Sequence, residues 1–455
     1  MFFESAPVSL PKAYLFRFPP NPNLRFVPPP PAGSTSFSPP IDIPDHVYNA
    51  LLDPKVPIII AIIYIMTVKA FNTYNKSTGK RPWAISKTFA FRSFIIAHNM
   101  FLAVYSAWTW CGICGTLKRS IISPFGPQGI SGFVDSLCRV NGLSGLGNAA
   151  FFNDDTNSWQ TYSTEAVLDA DGVPSRFSAG RMWNEGLAFY GWLFYLSKLY
   201  EVFDTLIILA KGKLSSTLQT YHHTGVIMCM WASVRYMTAS SSFSILFNSF
   251  IHTLMYTYYT LTAFNIRVPI VVKRTLTTMQ ITQFLVGASC AIGQLFITYT
   301  VPVLTGSRTD TAESTVLAGA NNFGITAVGG VFNNVQGTYA HRTMRCVTSS
   351  GEIFVVWLGI SYVAPLTYLF VFFFVKTYSR RGNADQSGSR GVNNTAISAQ
   401  CQSDHVPLSK KAAWEAAKNV EREAVWKINE KTIASEGIKA NAKPAPKDQV
   451  LRRKK

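Results

Sequence analysis

The chain has 455 residues, 48% of them apolar and only 15% charged, with a mean hydropathy of +0.14. An average soluble chain carries about a quarter charged residues, so two water-soluble domains of this length would lack polar surface, and the composition is that of a membrane protein. The net charge of +18 does not outline a nucleic-acid groove, because residues 376–455 hold 17 basic and 8 acidic side chains, a surplus of 9 that is half of the total. Such a tail suits an anionic membrane surface better than a polyanion.

Residues 1–54 are rich in Pro and Phe and lack a basic region followed by an apolar run. They read as a flexible segment without a cleavable signal peptide. A helix crossing about 30 Å of hydrocarbon needs about 20 mostly apolar residues. Seven stretches qualify, at 55–71, 88–113, 187–210, 216–238, 241–264, 276–301 and 353–376. The first is short and the fourth is polar, and a polar span more often faces a bundle interior than lipid. The expected fold class is therefore all-α, a polytopic membrane protein with seven transmembrane helices over residues 55–376.

Lys76, Lys80, Arg81 and Lys87 follow the first span, Lys211 and Lys213 the third, and Arg267, Lys273 and Arg274 the fifth, with no acidic residue among these connections. The long connections at 114–186 and 302–352 mix signs and read as far-side loops. By the positive-inside rule the basic loops and the C-terminus are cytosolic and the N-terminus lies on the far side. Residues 377–455 read as a basic, partly disordered cytosolic tail, in which 408–433 has helix-forming composition. Cys111-x-x-Cys114 ends an apolar helix with no second pair nearby and reads as structural. Cys114 or Cys138 is a candidate partner for Cys346, since all three fall in or beside the far-side loops, where an oxidising lumen permits a disulfide.

Polar side chains inside the spans carry the functional signal. Four of the seven histidines, His98, His222, His223 and His252, fall in spans. In the third span Lys198, Glu201 and Asp204 stand three residues apart and cover about 120° of a helix, either as an ion-paired helix end or as a binding face. The fourth span opens Gln219-Thr220-Tyr221-His222-His223, and adjacent histidines are hard to explain as packing. In the fifth, Asn248, His252, Met255, Tyr256 and Tyr259 fall within about 100° of one another. In the sixth, Thr277, Gln280 and Gln283 form another polar stripe. Four consecutive helices thus offer polar faces to a shared interior. A di-iron lipid oxidase takes about eight histidines, and zinc needs three or four ligands, so metal-free imidazole chemistry, as base or nucleophile, fits better. A receptor or a transporter is the alternative from another class. Clustered His, Asn and Gln suit chemistry better than signalling, and neither repeated halves nor broken helices are visible.

Taken in order, Lys198-x-x-Glu201-x-x-Asp204-Thr205, Tyr221-His222-His223, Asn248-x-x-x-His252-x-x-Met255-Tyr256-x-Tyr258-Tyr259 and Thr277-x-x-Gln280-x-x-Gln283-Phe284 resemble the motifs of the ELO family of fatty acid elongases, the membrane 3-ketoacyl-CoA synthases. His98-Asn99 is similar to the family's pair on the second span. The resemblance covers residues 55–301, with weaker support from the last span. The family box is usually His-x-x-His-His, and Gln219 at its first position is similar to a subgroup that includes elongases of polyunsaturated acyl chains.

The resemblance implies that a long-chain acyl-CoA and malonyl-CoA condense to 3-oxoacyl-CoA, carbon dioxide and CoA, with no cofactor besides these substrates and no metal. It places His222 at the nucleophile that carries the acyl group, gives His252 the hydrogen bond to the reacting carbonyl or enolate, and leaves His223 and Asn248 to orient the rings. Lys198, Glu201, Asp204, Gln219, Tyr256, Tyr259, Gln280 and Gln283 complete the implied substrate-binding set. Six of the seven spans would form a barrel around an apolar acyl tunnel, with the CoA phosphates near Lys211, Lys213, Lys273 and Arg274. The endoplasmic reticulum membrane is the implied location. The implied partners are membrane lipid, a ketoreductase, a dehydratase and an enoyl reductase, with a homodimer as a further candidate and no nucleic acid. The terminal Arg452-Arg453-Lys454-Lys455 matches a dilysine retrieval signal only imperfectly.

Overall fold

Residues 9–34, 37–163, 168–304 and 339–387 are described by the computed structural model. Pro44 and Pro54 precede two helices, α1 (Asp45–Leu51) and α2 (Lys55–Ser77), the second an Ile-rich run. α3 (Phe89–Ser120) opens on Thr88, whose side chain accepts from the Phe91 N–H at 3.2 Å and so satisfies one free helix donor. After α4 (Gly129–Cys138) the strands β1 (Asn141–Gly142), β2 (Ala149–Asn153) and β3 (Ser158–Thr161) form an antiparallel sheet in that order. A π-helical turn, Trp183–Leu187, leads into α5 (Ala188–Tyr200) and α6 (Val202–Ala210). There follow α7 (Thr217–Arg235), α8 (Ser240–Ala263) and α9 (Ile270–Phe296), then the antiparallel pair β4 (Thr298–Leu304) and β5 (Tyr339–Arg345), and finally α10 (Ser350–Ser387).

Each of the seven stretches expected to be helical is helical over most of its length, and four helices are long and apolar enough to cross a membrane: α2, α3, α9 and α10 over Ser350–Val375. The chain is thus mostly helical and polytopic by length and composition. The remaining stretches fall short for physical reasons. The third is divided at Glu201 into two short helices, and α7 and α8 exchange apolar for polar side chains that face protein.

Three expectations require correction. The fold is mostly helical rather than all-α: the long connection 114–186 contains the sheet β1–β2–β3, and β4–β5 joins the end of the sixth stretch to the connection 302–352. The sixth helix ends at Phe296, and the apolar residues beyond it alternate: Tyr299, Val301 and Val303 are buried, the period of a strand with one covered face. The described part of the N-terminal segment, 9–34 and 37–54, is packed rather than loose, with Leu24, Val27, Phe37, Tyr48 and Leu52 in the main core. An extended Pro-rich stretch has carbonyls without internal partners, and here the indoles of Trp159 and Trp183 donate to Arg25 O and Val27 O at 3.0 and 2.7 Å. The helix-forming stretch 408–433 lies outside the described residues.

The helices pack in a definite succession: α3 on α8, α8 on α9, α9 on α10, α10 on α7, α7 on α5 and α5 on α3, with α2 against α6 and α7. At one end the first two basic connections meet. The Asn75 amide donates to Leu209 O (2.8 Å) and Lys213 O (3.0 Å). Gly212 has a φ of +71°, and a Cβ there would fall 2.5 to 2.7 Å from the backbone of Lys80 and Arg81. Only glycine permits that approach without strain. At the other end Cys138 and Cys346 form a disulfide in a second core with Phe151, Tyr299, Val301, Val303 and Met344. Of the two candidate partners for Cys346, Cys138 holds the bond and Cys114 remains a free thiol. Beside it Arg181 donates to Asp135 at 2.6 Å and Tyr299 donates to the other carboxylate oxygen at 2.8 Å. Burial, and then the Asp135 charge, push the Tyr299 phenol far above its ordinary range.

Candidate active site

On either side of the break at Glu201 the charged side chains of α5 and α6 reach α8, and that of Asp204 reaches α3 as well. Lys198 and Glu201 are both 1% exposed, and the Lys198 ammonium donates to Glu201 Oε1 at 2.6 Å and to Asn248 Oδ1 on α8 at 3.1 Å. Glu201 Oε2 lies 3.6 Å from His252 Nε2, while His252 Nδ1 is 2.9 Å from the Asn248 carbonyl. A carbonyl can only accept, so Nδ1 carries a proton and donates. Lys198, Glu201, Asn248 and His252 therefore form one closed group in which each charge has a partner, the condition for burying charge at all.

Asp204 belongs to a second group. Its carboxylate accepts from Tyr256 at 2.6 Å and pairs with His98 Nε2 at 2.8 Å, and His98 Nδ1 lies 3.3 Å from the Tyr200 hydroxyl. His98 is thus tied to the motif on the third stretch. A third group joins α2, α6 and α7: Gln219 Nε2 is 2.9 Å from His223 Nε2 and 3.4 Å from Thr205 Oγ1, which in turn is 2.9 Å from the Tyr64 hydroxyl. Gln219 therefore supports His223, one helical turn further along α7. Tyr64 and Tyr200 carry no motif in the sequence. The one available signal was Tyr64 itself, a phenol in an otherwise Ile-rich run, which must find a hydrogen-bond partner when buried.

His222 stands apart from these groups, in the wall of a cavity between α5, α7, α8, α9 and α10. The cavity has a volume of about 120 Å³ and opens at a mouth. Along α7 it is lined by His222, Val226, Cys229, Met230 and Ser233, one face of the helix about 16 Å long at 1.5 Å per residue. Of the twelve candidate residues, only His222, Asn248 and Gln283 line it. Buried without partners are Gln283 Oε1 and His223 Nδ1, and an unmet buried polar atom costs about 1–3 kcal/mol. Gln280 instead faces Met255, its amide 3.6 Å from the sulfur, and Tyr259 is 40% exposed beside Tyr256. Among the described residues no three His, Cys, Asp or Glu side chains are grouped to hold a metal ion.

A residue with no motif completes the His222 surroundings. Tyr362 of α10 places its hydroxyl 2.8 Å from His222 Nδ1 and 3.2 Å from the His222 carbonyl. In sequence it is one of two phenols in an apolar span, with Tyr368, and nothing links it to residue 222.

The family profile of ELO, described as the GNS1/SUR4 family, matches residues 49–386, most of the chain. The chain belongs to the ELO family. Similar relatives include putative fatty acid elongase 4 of Caenorhabditis elegans, 43% identical over 22% of this chain and 34% of the relative. Very long chain fatty acid elongase 3 of Homo sapiens is 32% identical over 24% of this chain and 40% of its own length. A longer match, to putative fatty acid elongase 3 of Caenorhabditis elegans, is 24% identical over 46% of this chain and 52% of the relative. The matched regions thus span about a third to a half of these ELO relatives.

Proposed function

We propose that this ELO protein takes part in fatty acid elongation as its condensing enzyme, joining a long-chain acyl-CoA to malonyl-CoA to give 3-oxoacyl-CoA, carbon dioxide and CoA. The observation that carries the reading is His222, an imidazole set in the wall of a largely apolar cavity that follows α7 for about 16 Å, beside the paired group of Lys198, Glu201, Asn248 and His252. In this reading His222 attacks the thioester and holds the acyl group while CoA departs. Loss of carbon dioxide from malonyl-CoA then supplies the carbanion that takes the acyl group from the ring. His252 is assigned the hydrogen bond to the developing oxyanion, and the closed group around it supplies the fixed orientation such a donor needs. His223 and Asn248 orient the two rings, and Gln283 meets the substrate with its unpartnered oxygen.

The packing succession of α3, α8, α9, α10, α7 and α5 supports a six-helix barrel around the acyl tunnel, with α2 outside, and hence seven spans. The disulfide lies at the end opposite the basic connections, which supports an oxidising lumen on that side, a cytosolic tail, and residence in the endoplasmic reticulum membrane. CoA, being anionic, would rest at the basic end with Lys211, Lys213, Lys273 and Arg274. A 3-oxoacyl thioester becomes a saturated chain only after reduction, dehydration and a second reduction, so enzymes of those three classes are the proposed consumers of the product.

Purified full-length protein supplied with malonyl-CoA labelled in its free carboxyl group tests the assignment. Labelled carbon dioxide is expected only when acyl-CoA is also present, and His222→Ala should lower the rate about 10³-fold or more. Release that ignores the acyl donor, or a near-normal rate in the variant, would overturn it.

A further inference from the structure

The seam between α7 and α10 is built around His222. Pro365 lies inside α10 and has no N–H to give the Ser361 carbonyl four residues earlier. Tyr221 fills that vacancy, its hydroxyl 3.3 Å from Ser361 O and 3.1 Å from Tyr362 O. On the facing helix Gly225 leaves room where a Cβ would lie 2.2 Å from the Tyr362 ring. A mid-helix glycine is less favourable than alanine, and here its missing Cβ gives the ring its place. The pairing fixes the depth of Tyr362 along α7, so that its hydroxyl meets both Nδ1 and the carbonyl of His222.

That hydroxyl has one hydrogen. The carbonyl can only accept, so the arrangement that satisfies both contacts sends the phenolic hydrogen to the carbonyl and an Nδ1–H to the phenolic oxygen. We infer that Tyr362 is a positioning residue that holds His222 in its Nδ1–H tautomer, which leaves the Nε2 lone pair free to attack the thioester. This rests on the condensing-enzyme reading and adds which nitrogen reacts and what selects it. In the step, Nε2 forms a bond to the acyl carbon as the carbon–sulfur bond breaks, and CoA leaves as the thiolate, which takes a proton from water. The ring keeps its Nδ1 proton as an acyl-imidazolium whose charge faces the phenolic oxygen. When the carbanion attacks, the electron pair of the nitrogen–carbon bond returns to Nε2 and the ring is neutral again.

The test is acylation in the absence of malonyl-CoA, followed by mass spectrometry of the peptide containing His222. Tyr362→Phe keeps the ring and removes the hydroxyl. It should slow adduct formation about 10- to 100-fold, as loss of an orienting partner does elsewhere, while the KM for acyl-CoA stays within twofold of the parent. Gly225→Ala, which displaces the ring, should give a similar loss, and the two changes together no more than either alone. An unchanged acylation rate in Tyr362→Phe, or losses that multiply in the double variant, would overturn the inference and leave the elongation reading standing. Parent protein that releases carbon dioxide without ever forming the adduct would overturn it through the mechanism on which it rests.

Discussion

Lys198 and Glu201 illustrate how much one buried residue can commit a structure. A pair this well covered contributes little net stability over apolar substitutes, yet loss of one partner strands the other charge, at a cost of about 3–5 kcal/mol. Lys198→Met is therefore expected to lower the thermal midpoint in detergent sharply, and Lys198→Met with Glu201→Gln to recover part of the loss. A single variant that melts with the parent would show that the carboxylate does not depend on the ammonium. The spacing of Lys198, Glu201 and Asp204 was legible as a charged face. Its division was not, because the partners Asn248, His252, His98 and Tyr256 come from other helices, and no local period encodes which helix is adjacent.

Among the elements, long apolar runs were readable because spanning hydrocarbon demands length, a constraint a sequence shows directly. β4 was hidden because its buried positions follow the end of α9 without a polar break, so an alternating strand was merged into a helix. Tyr362 was hidden for a related reason: the span holds two phenols, Tyr362 and Tyr368, and nothing local says which of them is buried or what it meets. Of the short basic connections, the Asn75 and Gly212 contacts bring the first two together. Reversing charge at Lys211, Lys213, Lys273 and Arg274 together is expected to raise the KM for malonyl-CoA about tenfold or more, with kcat little changed. An unaltered KM would remove this end as the seat of the CoA phosphates.

At the scale of the whole molecule, the disulfide crosses 208 residues of sequence. Closing so long a loop restricts the unfolded chain and is worth about 5 kcal/mol at most in the chain-entropy account. Cys346→Ser should lower the thermal midpoint by several degrees, measured under non-reducing conditions, and adding reductant to the parent protein should bring the two together. Midpoints that stay apart under reductant would show that the serine acts by packing instead. The bridge has a second effect. Cys346 stands four residues ahead of Ser350, where α10 begins, so the covalent link moors the root of the helix whose middle holds the phenol against His222. A covalent tether at the rim is thereby continuous, through about 18 Å of helix, with the imidazole at the centre of the chemistry.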